Sequence, residues 1–190
     1  MATRSFIADE KTAAGVGATP TAGGMLRYQL NVVACTTEDV VRSAGGWLFD
    51  SARAGWDVNV MVADGGASRP LAILGATTFD FADGFLSMVR NAARIGALAV
   101  SADLLDTDTR VRDEVVRLLK RGATEVTVWG ERWPAELGRQ ADPVQHRVSA
   151  AARAFKSHAL VAANVSADAG TPTETLFRIG TGAFRPLYSV

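Results

Sequence analysis

The stretch RYQLNVVACTTEDVVRSAGGWLFDSARAGWDVNVMVAD, residues 27–64, decides the fold. Its first nine residues read as a strand. Thr36 and Asp39, three apart, then make an N-terminal capping pattern, in which a hydroxyl and a carboxylate satisfy N–H groups that the first turn leaves open. Glu38 and Asp39 also set negative charge at the positive end of the helix dipole. Val41, Ala44, Leu48 and Ala52 recur on one stripe with Val40 and Trp47 beside it, so residues 36–55 are predicted helical. Gly55 can take the left-handed conformation that ends a helix. Val58, Val60 and Val62 then alternate as a strand prefers. Strand, helix and strand form one unit of an α/β sheet.

Gly45-Gly46 stands out within that helix, because each interior glycine costs about 1 kcal/mol relative to alanine. Close packing against the sheet or another helix is the reading taken. Approach of a ligand is the weaker one, since helix middles seldom line sites in such folds.

Outward from this unit the same grammar continues. Residues 64–70 (DGGASRP) read as a loop and 71–74 as a short extended run. Asp80 opens a second helix through Phe81, Phe85, Met88, Val89, Ala92 and Ile95, with Gly96 as its stop. Leu98, Ala99 and Val100 form a buried strand. Residues 106–121 are a third helix with Val111, Val115, Leu118 and Leu119 inward and Gly122 behind them. Residues 124–129 are the next strand. Asp142-Pro143 reads as a cap followed by proline at the first helical position, opening a helix with Val144, Val148, Ala151, Ala152 and Phe155 on its face. Residues 158–165 read as a further strand, and 174–179 and 183–190 as closing extended segments joined by a hairpin through residues 180–182. Residues 1–26, rich in Ala, Gly, Thr and Pro without periodicity, read as a mobile tail, leaving 27–190 as one domain. The expected fold is a three-layer, Rossmann-like α/β domain: a mainly parallel sheet of about five to six strands with helices on both faces.

Composition narrows the function. With 190 residues and 48% apolar content the chain can bury a sizeable core. Its formal net charge is zero, 20 basic against 20 acidic residues, which lacks the basic footprint of a nucleic-acid binder. One cysteine, Cys35, excludes an intramolecular disulfide and any cysteine-rich metal site. No apolar run reaches signal-peptide or membrane-spanning length, so a cytoplasmic address with no membrane partner is expected.

In open α/β sheets ligands bind beyond the carboxyl ends of the strands. Topology therefore nominates Thr36, Thr37, Asp64, Arg69, Ser101, Asp103, Glu131, Arg132 and Asn164 as a ligand-binding rim, with Cys35, Glu38, Trp133 and Asp168 beside them. No motif supports a catalytic assignment. The dinucleotide fingerprint needs glycines where Thr36, Thr37, Glu38 and Asp39 stand. A phosphate-cradling loop and a nucleophile elbow are both absent. A phosphorelay receiver would need a lysine after the last strand, and none fits. Asp103, Asp106 and Asp108 could hold Mg²⁺. Asp106 as a helix cap, with Asp108 complementing the dipole, is the simpler reading. Cys35 reads as a buried inert thiol, and His146 and His158 lack ligand spacing. Trp129 and Trp133 read as covers for the core edge rather than ring-stacking groups.

The pattern G-G-W-L-F-D-x-x-x-A-G-W-D-V, from Gly45 to Val58, resembles uncharacterised actinobacterial α/β proteins, and no catalytic residue comes with that resemblance. The leading expectation is a domain that binds a small molecule or a protein without covalent chemistry, its cofactor unknown and no metal assigned. The alternatives are a small metal-dependent enzyme using the acidic rim of Asp64, Asp103 and Glu131, or a structural oligomer subunit.

Overall fold

A computed structural model describes residues 27–122, 124–130, 133–134, 137, 141, 143–166 and 171–179. The tail, Glu131, Arg132, Asp142, Asp168 and the closing hairpin lie outside the described residues.

The deciding stretch folds as expected. β1 (Gln29–Ala34) leads to α1 (Thr37–Arg53) and β2 (Asp57–Val62), and the two strands pair in parallel from Gln29↔Asp57 to Ala34↔Val62. Thr36 caps α1, its Oγ accepting from the Asp39 N–H at 3.1 Å. The Asp39 carboxylate, expected to reach back to the cap, instead binds Ser43 and Trp129. Gly55 follows the last turn at φ 92°, in the left-handed region.

Beyond β2 come α2 (Ser68–Ile73), β3 (Thr77–Phe79), α3 (Phe81–Ile95) and β4 (Gly96–Ser101). Then follow α4 (Ala102–Thr107), α5 (Thr109–Arg121), β5 (Val126–Trp129), β6 (Pro143–Arg147), α6 (Ala150–Ala162) and β7 (Thr173–Ile179). The seven strands lie in the order 3-2-1-4-5-7-6. β1 to β5 run parallel, while β7 is antiparallel to both β5 and β6.

Side chains alternate across β1, so Leu30, Val32 and Ala34 join one apolar core and Val33 the other. The first core lies under α1, α2 and α6, the second under α3, α4 and α5. Helices on both faces of one sheet make three layers.

Several expectations need correction. The sheet is mixed, not mainly parallel, and has seven strands. Residues 71–74 are not extended but complete α2, because Leu71 and Leu74 are buried at helical spacing while Ala72 is exposed. Pro70 is tolerated there since first-turn N–H groups have no helical partner. Pro143 begins a strand rather than a helix; β6 is the sheet edge, where a missing donor costs least. The cap nearby is Ser149, whose Oγ accepts from the Ala152 N–H at 3.1 Å. The predicted strand at 158–165 is the second half of α6 and the turn after it. The third helix is two helices, with Asp108 rather than Asp106 capping the longer, accepting from Arg110 and Val111 N–H groups.

Candidate functional site at the strand switch point

The strand order reverses between β1 and β4, and the helices that follow these two strands leave to opposite faces. Such a switch point opens a crevice beyond the carboxyl ends of the strands. A cavity of about 640 Å³ lies there. The start of α1 supplies Thr36, Glu38, Asp39, Arg42 and Ser43, α4 supplies Asp103, and Gly130 follows β5. Thr171, Thr173, Glu174 and Thr175 form the wall on the β7 side.

Asp39 is the centre of the chemistry. Ser43 Oγ donates to its Oδ1 at 2.9 Å, and the Trp129 indole N–H to its Oδ2 at 3.0 Å. Burial raises its proton affinity above the ordinary carboxylate value. The Ser43 and Trp129 hydrogen bonds oppose that rise, and the neighbouring Asp103 charge adds to it. A carboxyl whose proton affinity is lifted by burial and a like charge, in a cleft, is the arrangement that acid–base chemistry uses. Of the other charges, Arg42 binds Glu38 at 2.7 Å on the exposed rim, and Lys156 binds Glu174 at 2.6 Å.

Of the rim residues nominated by topology, Thr36 and Asp103 reach this cavity. Thr37 is buried beside it, donating to the Ala67 carbonyl. Asp64 turns into its own loop and accepts from the Gly66 N–H at 2.8 Å. Arg69 is exposed within α2. Ser101 is buried and caps α4. Asn164 follows a helix rather than a strand, at φ 58°. Glu131 and Arg132 fall outside the described residues. The nomination missed Asp39 as a site group, along with Ser43 and the β7 threonines. Asp39 was legible only as a helix-start acid, and its partner Trp129 lies 90 residues away.

A divalent cation needs several converging donors. Among the described residues no group of three His, Cys, Asp or Glu side chains could hold one. Asp64 is turned into its own loop, and Glu131, the third carboxylate of the expected acidic rim, lies outside the described residues. No described helix is long and apolar enough to cross a membrane.

No family model matches the chain, and no curated protein does. Solved structures do. The deacetylase of teicoplanin biosynthesis, in complex with teicoplanin, aligns with a TM-score of 0.59 at 13% identity, covering 80% of this chain and 98% of that one. The A40926 pseudoaglycone deacetylase Dbv21 gives 0.53 at 14%, covering 83% and 100%. GalB, the 4-carboxy-2-hydroxymuconate hydratase from Pseudomonas putida KT2440, gives 0.51 at 13%, covering 86% and 99%. At such identities the likeness is one of fold. It nevertheless corrects the leading expectation of a non-catalytic binder, because these neighbours are named for catalysis.

Proposed function

We propose that the chain is an enzyme that adds water, most specifically a hydrolase of the acyl–nitrogen bond in a hydroxyl-bearing amide, acting in the switch-point cavity. The observation that carries this reading is Asp39, a half-buried carboxyl held by Ser43 and Trp129 and facing Asp103 in the cleft. The fold neighbours support it, because deacetylation by hydrolysis and hydration both add a molecule of water to the substrate. The threonine hydroxyls and carboxylates of the wall favour a substrate rich in hydroxyl groups.

The residues accommodate each step. Ionised Asp39 takes a proton from water as the water oxygen bonds to the acyl carbon. The carboxylic acid so formed returns that proton to the nitrogen as the carbon–nitrogen bond breaks. Amide and water become acid and amine, and Asp39 is again ionised. Raised proton affinity suits both halves, since a group that accepts and then donates works best with a pKa near the operating pH.

The test is a panel of N-acetylated amino alcohols and amino sugars, with released acetate measured by NMR, for the parent and Asp39→Asn. Turnover by the parent that falls about 10²–10⁴-fold in the variant is expected, the usual contribution of a positioned proton carrier. Equal turnover by both proteins, or none by the parent on any amide, overturns the assignment.

A further inference from the structure

Helix α1 is invaded by a side chain. The Gly46 N–H donates to Oε1 of Glu174 at 2.8 Å, and the Trp47 N–H to Oε2 at 2.7 Å. In a regular helix those donors serve the carbonyls of Arg42 and Ser43, four residues back. The Arg42 carbonyl is taken by Lys156 Nζ at 2.6 Å, and the same ammonium meets Glu174 Oε1 at 2.6 Å. The two charged side chains are only 6% and 2% exposed. One ion pair, with Lys156 from α6 and Glu174 from β7, thus enters the middle of α1 from the side.

The glycine pair is what admits it. A Cβ at Gly46 would lie 3.0 Å from Glu174 Oε1 and 2.6 Å from a Val148 methyl, and one at Gly45 would press Leu74 at 3.3 Å. Stability alone does not call for this arrangement, because well-packed apolar residues often replace a buried ion pair without loss. The pair does hold two walls of the cavity. Arg42 and Ser43 stand just before the invaded turn, and Ser43 holds the Asp39 carboxylate. Thr173 and Thr175 flank Glu174 on the opposite wall.

We infer that Lys156 and Glu174 are positioning residues for this active site: they fix the 42–47 segment of α1 against β7 and, through Ser43, set Asp39. The catalytic part rests on the hydrolase reading; the positioning part rests on the hydrogen bonds alone.

Two variants of the full chain separate these parts. Lys156→Met with Glu174→Leu replaces the pair by apolar volume. Glu174→Gln keeps the shape but presents an N–H group to one of the two helix donors. The Trp129 indole N–H, bonded to Asp39, reports the protonation of Asp39 by NMR. Glu38, Arg42 and Asp103, the other charged groups of the cavity, stay unchanged in both proteins. In folded variants the indole titration midpoint should move, and kcat on an amide hydrolysed by the parent should fall about tenfold to a hundredfold, the scale of small misplacements. An unmoved midpoint with unmoved kcat in a folded variant overturns the inference. If the double variant does not fold, Glu174→Gln decides on the same two readouts. If the parent hydrolyses no amide, the hydrolase reading fails by itself and the midpoint alone decides the positioning.

Discussion

Asp39 gathers opposing forces on one carboxylate. Burial and the Asp103 charge favour its protonated form, while Ser43 and Trp129 favour the ion, and the balance lies above the ordinary value. The folded chain therefore holds this proton more tightly than the unfolded chain. Stability is lost as pH rises from the ordinary carboxylate value through the raised one, and the penalty is constant above it. Asp39→Asn removes that loss: an amide can accept from the indole and donate to Ser43 without ionising. The gap between the denaturation midpoints of variant and parent should widen in the variant's favour as pH rises through that window. Catalysis gives the complementary sign. A base must be ionised, so the rate should rise with pH through the raised Asp39 midpoint. Asp103→Asn, which removes a like charge, should shift the rising limb of kcat against pH to lower pH. A limb that stays in place would separate Asp103 from the titration.

At the level of elements, helix α1 shows how ends and middles differ. Gly55 sits just past its last turn at φ 92°, with nothing within 4 Å of a built Cβ, so only backbone conformation restricts the position. Gly55→Val should destabilise by about 1–2 kcal/mol, the cost of a branched residue in the left-handed region, seen as a lowered urea midpoint. Gly46 is restricted by space instead. Gly46→Ala gains helix propensity of about 1 kcal/mol, but its methyl would meet the stiff, buried Val148. Overpacking of about 1–3 kcal/mol should win, and Val148→Ala should recover much of the loss in a double-mutant cycle. Such ends and close contacts decide which elements were legible. Thr36, Gly55 and the alternating valines lie within one local stretch, and that unit was read correctly. Helix α6 was read as helix only in its first half, because its buried stripe runs Ala152, Lys156, Ala159, Leu160. A lysine at the second position hides the helical period from any count of apolar residues. The partner that makes its burial tolerable is Glu174, 18 residues on. Proline misled twice, at Pro70 and Pro143, since it fits equally the first turn of a helix and the edge of a sheet.

At the scale of the whole molecule, the alternation of strands and helices announced the three layers. The antiparallel pair β6 and β7 could not be foreseen, because strand direction depends on which edge accepts the returning chain. That pair supplies one cavity wall, so its threonines were hidden, and on the α1 side the sequence nominated Thr36 but missed Asp39 and Ser43. The charge of the site follows from the same geometry. The chain carries no formal net charge, so the groups local to the cavity decide which ligand it favours. Glu38 is paired with Arg42 and Glu174 with Lys156, which leaves Asp39 and Asp103 as the cavity carboxylates without a cationic partner among the described residues. Two such groups repel a phosphate and attract hydroxyl or amine donors. A nucleotide would need a bridging cation to approach. Calorimetric titration should therefore detect nucleotide binding, if any, only with Mg²⁺ or Mn²⁺ present. Asp103→Asn should weaken that binding, whereas Asp64→Asn should leave it nearly unchanged because Asp64 is turned into its own loop. Micromolar nucleotide affinity in a chelator would sink this account of the rim, since nothing else described there would offset the repulsion.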